Sequence, residues 1–290
     1  GQVQAAVAEE RLIREKRTRR FPINAIQTCL RQAGVAAKDV SVVAVGWNPL
    51  HNMERLGSGS FESVRFFPEM LYRQPGQLYA LLNGDAAPRD ARIRQALDVG
   101  AAKIQIEYVD HHLAHAALAF FASPFDRAAI LSIDGFGEKV TTALALGEGG
   151  RIRTLETVEF PHSLGMFYET LTQFLGFRPD SDEWKVMGAS AYGDPGRYQS
   201  SMDELVRCTD DGLFQIDLTY FQYYLFSRRT HFHPRLEHLL GPPFPVGAEL
   251  DQRGADIAAA AQATLERAVF HLGRRLHRLT GSTNLCLSGG

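Results

Sequence analysis

Short apolar runs alternate along the chain with stretches whose apolar residues recur at helical spacing, the pattern of an α/β protein. Gln2 to Ala8 reads as a strand, followed by a charged run from Glu9 to Arg20. Phe21-Pro22 opens a helix with Ile23, Ile26, Cys29 and Leu30 on one face and Gly34 as its stop. Val40 to Trp47 reads as a buried strand. Phe61 to Leu82 is rich in aromatics and predicts one or two helices. Ile104 to Val109 alternates with period two and leads into Asp110-His111-His112-Leu113-Ala114-His115, which opens an Ala-rich helix ending near Ser123-Pro124.

The next stretch predicts a sheet: strands at Ala128 to Ile133, Lys139 to Leu146 and Arg151 to Glu159, with glycine turns at 134–137 and 147–150. Ser163 caps a helix through Leu175, with Gly176 after it. A long helix follows from about Ala255 to Leu279, stopped by Gly281, and then a final strand into Ser288-Gly289-Gly290. The run Gly149 to Glu156 before Phe160-Pro161 echoes Gly1 to Ala8 before Phe21-Pro22. Two copies of a three-stranded meander followed by a helix predict a duplicated ribonuclease-H-like fold of the actin/hexokinase ATPase class. That class binds a nucleotide between its halves. The expected halves are 1–127, with a helical insertion, and 128–290. Both ends fall inside such units, so the chain is expected to be a fragment truncated at both ends.

Composition narrows the function classes. The chain of 290 residues is 45% hydrophobic and 22% charged, which excludes intrinsic disorder. Its formal net charge of −2 argues against a nucleic-acid-coating protein. No run approaches the ~18 apolar residues of a membrane span. The three cysteines, Cys29, Cys208 and Cys286, fit no disulfide framework or CxxC metal site, and with no apolar signal region they predict a cytoplasmic protein.

Candidate chemistry concentrates in four places. His111 and His115 are spaced i, i+4, so on a helix two imidazoles can grip one metal ion; they can equally be surface residues at a helix start. His112 points about 100° away and is free to meet a phosphate or a substrate. Asp110 can orient an imidazole from outside the ligand set. The turn Asp134-Gly135-Phe136-Gly137-Glu138 suits either close approach of backbone N–H groups to a phosphate or an ordinary hairpin. Lys185, between Trp184 and Val186, can serve a phosphate as a point charge or reach to water. Gly289-Gly290 is another phosphate turn or a hairpin. The basic run Arg11, Arg14, Lys16, Arg17, Arg19 and Arg20 is a solvated face or, beside a cleft, an anion holder. Trp47 and Trp184 read as packing residues.

Taken in order, Glu9-Glu10-Arg11, Phe21-Pro22-Ile23-Asn24, Asp110-His111-His112-Leu113-Ala114-His115, Ile133 to Glu138, Phe160-Pro161-His162-Ser163-Leu164-Gly165, Lys185-Val186-Met187-Gly188 and Asn284 to Gly290 carry a family resemblance. The sequence resembles the O-carbamoyltransferases of antibiotic and nodulation-factor biosynthesis, whose large domain is similar to the tRNA threonylcarbamoyl transferase. The resemblance implies that carbamoyl phosphate and ATP become carbamoyl-adenylate in a separate domain, and that the large domain passes the carbamoyl group to an acceptor hydroxyl. It implies iron or a similar divalent metal on His111 and His115, with a carboxylate from beyond residue 290 completing the set. It places nucleotide phosphates at Asp134, Gly135, Gly137, Glu138, Lys185, Gly289 and Gly290. It gives catalytic duties to His112 and to Lys16, which matches a position near the acceptor. Partners on this reading are carbamoyl phosphate, ATP and a small hydroxylated acceptor, without nucleic acid or membrane; the acceptor and oligomeric state stay open. Alternatives of the same fold are a sugar kinase-like ATPase, a tRNA-modifying transferase and a non-catalytic binding domain.

Overall fold

The computed structural model describes residues 2–18, 20–48, 86–98, 104–225 and 228–290. In chain order the helices are α1 (Glu9–Ile13), α2 (Ile23–Ala33), α3 (Ala86–Ala96), α4 (His111–Phe121), α5 (Leu164–Phe174), α6 (Glu183–Ser190), α7 (Gln199–Leu205), α8 (Leu236–Leu240) and α9 (Gln252–Thr280). The strands are β1 (Val42–Val45), β2 (Gln105–Tyr108), β3 (Arg127–Ile133), β4 (Val140–Glu148), β5 (Arg151–Glu159), β6 (Val206–Cys208), β7 (Phe214–Ile216) and β8 (Leu285–Ser288).

The central sheet runs β5-β4-β3-β8. Its first three strands form an antiparallel meander, and β8 joins parallel to β3 with Ala129 opposite Leu285. Strand β3 is buried along Ala128 to Ser132 because both of its faces are covered, which is why it reads as a continuous apolar run. Ala128 and Ile130 pack with Ala116 and Phe120 of α4, and with Ala145 and Cys286. Ala129 and Leu131 face the other way, into a larger core with Phe167 and Leu171 of α5 and Ile257, Ala261 and Leu272 of α9. The ring of Phe120 lies so close to Gly147 that a Cβ there would stand 2.6 Å from it.

The capping signals hold at both ends of this layer. Ser163 accepts the Met166 N–H at the start of α5. Asp251 accepts the Gly254 N–H at the start of α9, and Gly281 ends that helix in the left-handed region.

The earlier part of the chain is built differently. β1 and β2 form a two-stranded parallel pair, over which Ile93, Leu97 and Ile104 gather a small core. Gln2 to Ala8 forms no strand, because none of the described strands offers it a ladder of hydrogen bonds. The strand read at Val40 to Trp47 is shorter and alternates exposed with half-buried, so it is not a buried strand. Among the described residues before β3 there is no antiparallel meander to pair with β3-β4-β5, so the expected duplication has no visible counterpart there. The aromatic segment Phe61 to Leu82 lies outside the described residues. No helix among the described residues is long and apolar enough to cross a membrane.

Candidate metal centre

Strand β2 ends just before α4, and the first turn of α4 stands beside the turn that leaves β3, where a Cβ on Gly137 would lie 3.1 Å from His111 Cβ. The helical spacing puts His111 and His115 on one face, and the end of β3 delivers Asp134 to the same point. His111 Nε2 lies 2.6 Å and His115 Nε2 3.1 Å from Asp134 Oδ2, and the two nitrogens are 3.0 Å apart. The side chains are about one-fifth to one-quarter exposed, so the point is reachable from solvent.

Tautomer logic shows what this cluster requires. His111 Nδ1 sits 3.2 Å from the Gly46 carbonyl oxygen, which can only accept, so Nδ1 carries a hydrogen. A neutral His111 ring then aims the Nε2 lone pair at a carboxylate oxygen and at a second imidazole nitrogen. That arrangement calls for a cation between ring and carboxylate, either a proton or a metal ion. Consistently, the hydrogen bond to Asp134 raises the His111 pKa against the opposing effect of burial. Burial would raise the Asp134 pKa, but hydrogen bonds from His111 and the Gly135 N–H hold it below the usual carboxylate range. Two imidazoles and one carboxylate form a donor set that suits iron, zinc and related divalent ions. The Gly46 carbonyl holds the His111 ring from behind, and the edge of Trp47 meets that ring with centroids 5.3 Å apart.

Asp134 is also fixed from its own side. Its Oδ1 accepts the Gly135 N–H at 2.7 Å, and Ser163 Oγ–H reaches the Asp134 and Gly135 carbonyls at 3.3 and 2.6 Å. A Cβ on Gly165 would stand 2.6 Å from the Gly135 nitrogen, so α5 abuts this turn closely. Beside the triad opens a cavity of about 410 Å³, lined by Arg17, Asp134, Gly135, Gly165, Glu169, Asp180, Glu183 and Gly290. Burial, then the charges of Asp180 and Glu183, pushes the Glu169 pKa up to about 7.

The remaining candidates take other positions. His112 is buried, bonds Ser132 Oγ through Nδ1 at 2.9 Å, and does not line the cavity. Burial, then the neighbouring His111, pushes its pKa down to about 4. Asp134, expected at nucleotide phosphates, touches both imidazoles, so a carboxylate from within the chain stands with the two histidines. Gly135 and Gly290 line the cavity, whereas Gly137 lies against α4. Gly289, at φ 106°, packs on the β3 backbone, where a Cβ would fall 1.6 Å from the Ile133 carbonyl oxygen. Glu138 is buried and bonded to backbone N–H groups. Lys185 pairs with Asp182 at 3.0 Å and lies over the rings of Phe177 and Trp184. Trp184 is 57% exposed and is not a packing residue. Lys16 is exposed, and among the described residues of the basic run the cation that reaches the cavity is its neighbour Arg17, whose guanidinium donates to the Ser181 carbonyl. Glu169, Asp180 and Glu183 escaped the sequence reading because scattered carboxylates on and around helices look like a solvated surface.

A family model described as "Carbamoyltransferase N-terminus" matches residues 1–290. An uncharacterized protein of Synechocystis sp. is 35% identical over the whole chain, which covers 47% of that protein. Nodulation protein NolNO of Sinorhizobium fredii is 32% identical over the whole chain, which covers 39% of it. Nodulation protein NolO of Bradyrhizobium diazoefficiens is 35% identical over 63% of the chain, corresponding to 31% of its own length. The chain thus spans less than half the length of these curated relatives.

Proposed function

The chain belongs to the carbamoyltransferase N-terminal family, and on that premise we propose that it carries the transfer site for passing a carbamoyl group from carbamoyl-adenylate to an acceptor hydroxyl. The observation that carries the reading is the convergence of His111, His115 and Asp134 on one point beside a cavity. A divalent ion such as Fe(2+), held by these three side chains, would supply Lewis-acid polarisation of the carbamoyl carbonyl.

The chain's own residues account for the rest. Gly135, Gly165 and Gly290 leave one side of the cavity without side chains, where phosphate oxygens can approach backbone N–H groups closely. Glu169 and Glu183, also in the lining, can accept hydrogen bonds from ribose or acceptor hydroxyls. Arg17 supplies a positive charge at the mouth toward an anionic donor. On this reading the carbamoyl-adenylate is made from carbamoyl phosphate and ATP in a separate domain of the whole protein, and the transfer site belongs to a duplicated ribonuclease-H-like architecture.

The test uses the full-length protein with carbamoyl phosphate, ATP and a panel of hydroxylated acceptors. His111→Ala should abolish carbamoylated product in mass spectrometry while formation of the adenylate persists. Undiminished carbamoyl transfer in that variant would overturn the reading.

A further inference from the structure

We propose that Glu138 is a positioning residue for the metal triad, acting through the first turn of α4, and not a ligand for the nucleotide. The inference rests on the reading of His111, His115 and Asp134 as a metal site. Glu138 is 5% exposed. Oε1 accepts the Asn48 N–H at 2.6 Å, and the carboxylate accepts the His111 N–H at 3.0 and 3.2 Å. A single side chain therefore joins three segments: the exit of β1, the first residue of α4 and the turn between β3 and β4.

The placement is specific. An α-helix starts with N–H groups that have no intrahelical partner, and a side chain at the N-cap usually takes one of them. Asp110 holds the N-cap position of α4 but forms no side-chain cap. Glu138 takes that part from the turn between β3 and β4, with its negative charge at the positive end of the helix. The residue whose N–H it binds is itself one of the two imidazole donors.

Asp134 and Glu138 stand at the two ends of one short turn. That turn is closed by the Asp134 N–H to the Thr141 carbonyl at 3.0 Å and by the Gly137 N–H to the Val140 carbonyl at 2.8 Å. One end presents the carboxylate of the triad, and the other grips the helix that presents the imidazoles. The spacing between carboxylate and imidazoles is thereby set by a single rigid piece. Two glycines permit the approach. A Cβ on Gly137 would lie 3.1 Å from His111 Cβ and from the His112 ring, and a Cβ on Gly46 would lie 3.0 Å from Ala114 Cβ.

The experiment titrates Co(II) into the protein and into Glu138→Ala, Glu138→Gln and His111→Ala, following the d–d spectrum together with far-UV circular dichroism. His111→Ala should abolish the spectrum. Glu138→Ala should keep its helical signal yet bind Co(II) about 10- to 100-fold more weakly, with shifted d–d bands, the range seen when a group supporting a ligand is lost. Glu138→Gln, the same shape with one donor-accepting oxygen, should fall in between, and is the variant to read if Glu138→Ala does not fold. Wild-type affinity and bands in Glu138→Gln, alongside a dead His111→Ala, would overturn the positioning role while leaving the metal site standing. Weakened ATP binding in Glu138→Gln with an unchanged Co(II) spectrum would overturn it in favour of a nucleotide contact. A wild-type protein that shows no Co(II) spectrum would overturn the metal site and this inference together.

Discussion

Two helices of this molecule start against a buried glutamate that belongs to a different element. At α2 it is Glu9, 7% exposed, whose Oε2 accepts the Ala25 N–H at 2.7 Å while Oε1 takes Asn24 through its backbone and side-chain N–H groups. At α4 it is Glu138, with Asn48 and His111 as its donors. Neither helix has a side-chain cap from its own N-cap residue, Pro22 in one case and Asp110 in the other. The physical device is the same, a desolvated carboxylate exchanging water for orphan N–H groups. What differs is the cargo. The first turn of α2 presents no titratable group, whereas the first two turns of α4 present His111 and His115 to Asp134. A helix cap is thus a stability element in one place and a site-building element in the other.

Substitutions separate the two roles. The largest effect is expected from the donors themselves. His115→Ala or Asp134→Asn should lower divalent-metal affinity beyond the roughly 100-fold at which loss of a supporting group tops out, read by competition with a chromophoric chelator; an affinity within twofold of wild type would remove that residue from the donor set. Next comes the paired comparison. Glu9→Ala should lower the melting temperature by a few degrees and leave metal affinity unchanged, whereas Glu138→Ala should change both. Equal metal affinity in the two variants would erase the distinction. Smaller still is the glycine pair. Gly137→Ala pushes a methyl against His111 and should weaken metal binding severalfold. Gly34→Ala at the end of α2, at φ 66° with open space around it, should cost only about 1 kcal/mol of stability.

A third glutamate supplies the contrast in pH. For Glu9, burial alone would raise the pKa, but hydrogen bonds from Ala25 and Asn24 outweigh it and leave the group below its ordinary value. Glu169 lies in the cavity near Asp180 and Glu183, with His231 Nδ1 3.4 Å away, and its pKa rises from 4.5 to about 7. The folded state therefore holds a proton that the unfolded state releases. The stability linked to Glu169 is full below pH 4.5 and is lost as pH rises through about 7. Glu169→Gln should flatten that decline by about 1–3 kcal/mol between pH 5 and 8 in urea melts. Parallel curves for the two proteins would show that Glu169 ionises normally.

The legible parts of this molecule were those whose cause is local. Ser163 ahead of an apolar stripe announced α5, Gly281 announced the end of α9, and the double-sided run at Ala128 to Ile133 announced β3. The i, i+4 spacing of His111 and His115 needed only helical geometry. Asp134 was readable as a turn residue but not as their partner, because that contact depends on how α4 lies across the sheet. Glu138 was opaque for the same reason: its carboxylate caps a helix that lies well before it in sequence. Gln2 to Ala8 had the pattern of a strand, but a strand exists only where a neighbour supplies its hydrogen bonds.

Strand β8 has a consequence in time as well as in space. It pairs with β3 only after α9 has been made. Parallel pairing across so long a separation is slow to close. His111, His115, Asp134 and Glu138, by contrast, emerge from the ribosome within one short stretch, after Gly46 and Asn48. The triad and its clasp can therefore form on the growing chain while β3 still lacks its pairing with β8. Pulsed hydrogen exchange during refolding should then find the His111 amide protected earlier than the Cys286 amide, and simultaneous protection would show that the site waits for the whole sheet.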